Sequence, residues 1–228
     1  MNLRTLFHGH SFAALFFCIA FLFSIPGVDF QPVEDAADTG YELTPRFVRF
    51  VSGGWWPVVV DWEWLKTVQD LGEKNYGPQT KLGLEKSYRL IQGLDPFFYD
   101  SYDQGAIAFM VLLKDSDAAL RVLDRGIRVF ETGEFPKEYW RQAYVLYLLR
   151  ASVHGYLKQD FVSARRDFLK AAEVPGAPAF LEKMKIWLEK EGSESILAGR
   201  MLRILISNTK DPVLKSFYEE QINRYEHH

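Results

Sequence analysis

The chain has 228 residues, a formal net charge of −3 and one cysteine, Cys18. Hydrophobic residues make up 48% and aromatics 15%, enough for one compact core plus a tail. The mild acidity excludes a general nucleic-acid binder, which needs a concentrated basic surface. A lone cysteine excludes an intrachain disulfide and a cysteine-based zinc site.

Residues 11–25 (SFAALFFCIAFLFSI) carry no charge, and Leu6 and Phe7 extend the run behind a His-Gly-His break. From Leu6 to Val28 the segment is long enough to cross a bilayer core, which takes roughly 20 residues. Arg4 precedes the run, and Asp29, Glu34, Asp35 and Asp38 follow it, which predicts the N-terminus inside and the remainder outside. The rival is a cleaved signal peptide. No A-x-A-like site follows the run, Pro26 interrupts the place for one, and Cys18 sits too deep for a lipobox. Residues 1–28 are therefore read as an uncleaved signal anchor.

Residues 29–57 are read as a linker and an aromatic arm. The first part is polar and acidic without an amphipathic period. The second (47–57, FVRFVSGGWWP) is expected as a short strand or an extended arm that bends at Gly53-Gly54. Trp55 and Trp56 suit a membrane interface or the closing of the open end of a helical stack.

From residue 58 to 228 the pattern is helical. Trp62, Leu65, Val68 and Leu71 form an apolar stripe behind Asp61, read as a helix cap. A helix over 80–92 stops at Leu94-Asp95-Pro96. The next unit, 98–130, carries Tyr102, Ala106, Phe109 and Leu113 on its first helix and Ala119, Leu123 and Gly126 on its second. Residues 131–137 loop out, as a surface connection tolerates. A third unit pairs 138–157 with 161–173, capped by Asp160 and stopped at Pro175-Gly176-Ala177-Pro178. A fourth pairs 179–191 with 194–207 across Gly192, and a capping helix over 212–225 presents Leu214, Phe217, Tyr218 and Ile222.

One step pattern recurs in the second helices: Leu84/Tyr88/Ile91, Ala119/Leu123/Gly126, Ala164/Phe168/Ala171 and Ala198/Leu202/Leu205. Their central residues lie 35, 45 and 34 positions apart, which predicts an all-α stack of helical hairpins. At Ala164, Phe168 and Ala171, at the Tyr156–Phe161 turn and at Leu94-Asp95-Pro96 the chain resembles the tetratricopeptide repeat family. Over residues 61–225 it is similar to envelope-associated bacterial members, through Trp64-Leu65, Leu94-Asp95-Pro96-Phe97, Asp117-Ala118-Ala119 and Pro175-Gly176-Ala177-Pro178. The resemblance implies a TPR-like solenoid behind an N-terminal transmembrane helix. It also shows departures: Leu84 and Ser152 fill positions usually held by smaller residues, Gly155 stands where tyrosine is common, and Tyr156 comes one residue late.

The chemistry-bearing residues are few. His8 and His10 precede the apolar run and are read as polar tail. Asp61 and Glu63 point in different directions on a helix, and Arg165-Arg166 is read as surface charge. No phosphate loop, HExxH or GxSxG motif occurs. An enzyme is not expected, nor a cofactor or metal. Tyr147, Arg150, His154 and Lys158 step along one helix face, which is either an outer solvated face or a strip that recognises carboxylates or phosphates. With Tyr102 and Tyr144 as groove aromatics, these six are the candidate binding residues.

Stacked hairpins leave an extended face suited to a peptide segment. The expected function is a membrane-anchored adaptor holding partner proteins in the bacterial envelope, single-pass in the inner membrane with the repeat domain periplasmic. The alternative is a periplasmic or secreted ligand-binding module released by signal cleavage.

Overall fold

The computed structural model describes residues 44–72, 76–133, 142–190 and 194–226, which are helices and their connections, without a strand among them. The expected anchor, His8, His10, most of the linker and the Gly192 junction lie outside the described residues. No helix among the described residues is long and apolar enough to cross a membrane.

The arm expected over 47–57 is not extended. Helix α1 (Pro45–Val51) starts there, because Thr44 Oγ1 accepts from Phe47 N at 3.3 Å and Pro45 occupies the first turn. Gly53 and Gly54, at φ 56° and 98°, turn the chain into α2 (Trp56–Gly72). Asp61 therefore lies inside α2 and does not cap it. The adjacent tryptophans separate. Trp56 packs on the cluster of Val48, Val60, Ile91 and Leu94 with the Arg49 guanidinium 5.4 Å above its ring, while Trp55 stays 74% exposed.

Helix α2 pairs with α3 (Pro78–Leu94). Its packed side holds Val60, Trp64, Thr67 and Leu71, not the expected stripe, of which Trp62, Leu65 and Val68 face outward. The helix is apolar on two sides, so periodicity alone could not choose between them.

Helix α4 (Asp100–Ile107) pairs with α5 (Ser116–Glu131), and α6 (Ala143–Ser152) with α7 (Phe161–Glu173). Both first helices end in a π-helical turn, Ala108–Leu112 and Val153–Leu157. The two exits match at a spacing of 45 residues. Leu113 N and Lys158 N reach Ala108 O and Val153 O at 3.0 and 3.1 Å, and Asp115 N and Asp160 N reach Phe109 O and His154 O at 2.8 Å. Lys114 and Gln159 take left-handed φ values of 51° and 55°. Asp115 and Asp160 then cap the following helices through Ala118 N and Ser163 N, each at 3.0 Å. A π turn fits one extra residue into the helix, which accounts for Tyr156 coming one position late.

The second-helix stripes are buried: Leu84, Tyr88 and Ile91; Ala119, Leu123 and Gly126; Ala164, Phe168 and Ala171; Leu202 and Leu205. A side chain at Gly126 would meet Tyr102 Cγ at 2.9 Å and one at Gly105 would meet Tyr88 Cε1 at 2.9 Å, so bare backbone receives an aromatic ring at both places.

The last helices depart from the expected fourth pair. Helix α8 (Ala179–Lys190) packs on α7, where Arg165 Nη2 donates to Leu188 O. Helix α9 (Glu194–Asn208) has α10 (Pro212–Glu226), not α8, as its main partner. Helix α10 also reaches the π turn at 108–112, and Tyr218 lies against Ser152 and Tyr156. Leu214, Phe217 and Tyr218 are buried, Tyr218 against the first helix of the third unit and its π turn.

Candidate functional site

Tyr147, Arg150, His154 and Lys158 run along α6 and its π turn as the spacing predicts, and acids from the same chain meet them. Helix α5 runs antiparallel beside them and offers Glu131, Asp124 and Asp117 at seven-residue steps. Tyr147 Oη donates to Glu131 Oε1 at 3.0 Å, Arg150 Nη1 to Asp124 Oδ1 at 2.7 Å, and Lys158 Nζ pairs with Asp117 Oδ1 at 2.6 Å. From the other flank α7 supplies Asp167, which accepts from Arg150 Nε and Nη2 at 2.9 and 2.6 Å, and Lys170, which donates to Glu131 at 3.0 Å. The His154 nitrogens lie 3.9 Å from Asp160 and 4.0 Å from Asp167.

The electrostatics follow from these contacts. Burial would lower the Arg150 pKa, but Asp167 and Asp124 hold it above its ordinary value. Burial and then the bond to Glu131 push the Tyr147 phenol up, and Lys170 holds the Glu131 carboxyl down. Arg150 and Lys170 also sit 5.6 and 5.8 Å from the Tyr147 ring centre. The strip is a clasp joining α5, α6 and α7. An anionic ligand entering at Arg150 has to displace Asp124 or Asp167.

The two remaining candidates stand apart from the clasp. Tyr102 is 1% exposed, donates to Pro96 O at 3.1 Å and presses its ring on Gly126, so it belongs to the core and offers no groove surface. Tyr144 is half-buried against the same core, near Tyr99, whose hydroxyl donates to Gln142 O at 2.9 Å. No group of three His, Cys, Asp or Glu suited to a metal ion occurs among the described residues.

Two features went unread in the sequence. The first is an acidic corner where α10 meets α4. Asp211 Oδ1 accepts from Val213 N and Leu214 N at 2.8 and 3.2 Å and caps α10. It lies near Asp103, whose carboxyl is pushed up to about 7 by burial and by the charges of Asp100 and Asp211. Asp100 and Asp103 share the first turn of α4, and the docking of α10 adds Asp211 to them. The second, read in the sequence only as a packed stripe and a separate Trp55, is the outward side of α2 with the residue just before it. There Trp55, Val58, Trp62 and Leu65 step at three, four and three residues and are all exposed. A signal for it was present: this stripe runs parallel to Val60, Trp64, Thr67 and Leu71, so the helix has apolar faces on both sides.

No protein-family model, curated protein or solved structure matches the chain.

Proposed function

We propose that the chain is a membrane-anchored adaptor of the bacterial envelope, built on a TPR-like helical repeat, that holds partner proteins through amphipathic helical segments. One observation carries this reading. The face formed by the first helices of the two middle pairs receives an amphipathic helix, α10, which reaches the π turn at 108–112 and sets Tyr218 against Ser152 and Tyr156. A face that accepts one such helix from its own chain has the shape and chemistry to accept one from a partner. The duplicated turn at 108–115 and 153–160 supports the repeat, and the uncharged run at residues 11–25 supports the anchor. The ion pairs of the α5–α6–α7 clasp then fix the angle between hairpins and so the curvature of that face.

The test is a photo-crosslinking amino acid placed in the full chain in cells. One variant carries it at Leu112, which is partly exposed on the π turn that touches α10, and another at Val162 on α7. Discrete adducts to other proteins at position 112, absent at 162, are expected. Adducts confined to the chain itself remove the adaptor reading.

A further inference from the structure

Trp55 and Trp62 are 74% and 70% exposed, and Val58 and Leu65 between and beyond them are more than half exposed. The two indoles alone present about 300 Å² of surface. With the aliphatics, the stripe reaches the size of the largest apolar patch on an ordinary soluble monomer, about 300–600 Å². That remains short of the about 800 Å² per partner that a stable dimer buries. Tryptophan is the side chain most favoured at the boundary between headgroups and acyl chains. The charges at the borders of the stripe, Asp61 and Lys66, have opposite sign, and Lys66 is paired with Glu63 at 3.4 Å. With Glu63 counted these three charges sum to −1, which does not attract anionic lipid, so the stripe's chemistry is that of apolar insertion.

The length of chain before α1 decides between occupants. The uncharged run ends at Ile25 and α1 begins at Pro45. Even fully extended, a chain of that length reaches at most about 65 Å, which keeps α1 and α2 at high effective concentration beside whatever holds the run. We infer that the outward face of α2 lies in the bilayer interface, with Trp55, Val58, Trp62 and Leu65 inserted among the lipid headgroups and upper acyl chains. The inference rests on the membrane-anchor reading for its tether, and it gives that reading a second point of attachment. Such a contact fixes the rotation of the repeat domain against the membrane.

The experiment uses the full chain carrying Cys18→Ala and one new labelling site, Val58→Cys or Leu65→Cys. An environment-sensitive fluorophore is attached and the protein reconstituted in phosphatidylethanolamine–phosphatidylglycerol vesicles. Val162→Cys, on exposed α7, is the reference. Labels at 58 and 65 are expected to shift to the blue and to be quenched by lipid carrying a shallow nitroxide. The label at 162 should show neither effect, and Trp62→Glu should reduce the quenching at 58 several-fold. Raising the salt should leave the quenching unchanged. Labels at 58 and 65 as wet as the one at 162 overturn the inference. So does shielding that the nitroxide lipid does not quench, since a protein neighbour then covers the stripe. Carbonate extraction of the same vesicles reports on the anchor separately. A resistant chain with a wet stripe sinks the inference alone. An extractable chain sinks the anchor, while the quenching of added protein still decides the inference.

Discussion

Arg150 meets Asp167 edge-on, with Nε 2.9 Å from one carboxylate oxygen and Nη2 2.6 Å from the other. Both side chains are largely out of water, at 16% and 4% exposure. Removing Asp167 leaves the mostly buried Arg150 charge with the more exposed Asp124 alone. Asp167→Ala is expected to cost about 3 kcal/mol in urea denaturation, and the double change Arg150→Met with Asp167→Leu clearly less. Equal losses in the two variants would mean that the pair itself, not the orphaned charge, supplies the stability.

Asp103 sets a pH dependence whose sign can be worked out. Its folded pKa is raised to about 7, above the ordinary carboxylate value, by burial and by Asp100 and Asp211. The folded state therefore binds more protons than the unfolded one between about pH 4 and 7, and this residue's contribution to stability falls as pH rises through that window. Asp103→Asn should flatten the slope and raise stability at pH 8 by on the order of 2 kcal/mol, after allowance for partial exposure. Melting curves from pH 4 to 8 on both proteins measure it.

Two glycines should respond with opposite signs. Gly126→Ala forces a methyl into the Tyr102 ring and is expected to cost about 1–3 kcal/mol. A side chain at Gly83 meets nothing within 4 Å, so Gly83→Ala should gain about 0.5–1 kcal/mol from helix propensity alone. Thermal melts of the pair check the packing of α4 on α5.

Lys114 and Gln159 occupy equivalent left-handed positions. Replacing either by glycine relieves the same crowding and should stabilise by about 0.5–1 kcal/mol. Similar gains at both sites would show that the two exits share one geometry in solution. A gain at one and a loss at the other would contradict it.

Tyr218 ties α10 to α6, its hydroxyl 3.2 Å from Ser152 Oγ and its ring 6.5 Å from that of Tyr156. Ser152 Oγ still donates to Leu148 O at 2.8 Å without it, so Tyr218→Phe should cost only about 1 kcal/mol. Tyr218→Ala leaves a cavity costing about 3–5 kcal/mol. Amide exchange over residues 212–226 should accelerate far more than over 161–173 if α10 is released as a unit.

Features local to one helix were legible from residue spacing. Leu84, Tyr88 and Ile91, Ala119 and Leu123, Ala164, Phe168 and Ala171, and Leu202 and Leu205 are buried as their spacing requires. Asp160 caps α7 as expected, and the late position of Tyr156 already carried the trace of the π turn. A helix buries a face that its own period marks, so these features need no neighbour to be legible. Which neighbour each face meets followed from the packing of the whole core. It sealed Tyr102 in the core and paired Arg150 and Lys158 with Asp124, Asp167 and Asp117. It paired α9 with α10, set α10 on the π turn at 108–112, and left Trp62 and Leu65 outside. The physical reason is that burial is non-directional: a period says that a face must be covered, not by what, and a helix apolar on both sides offers two equivalent answers until the whole core is packed.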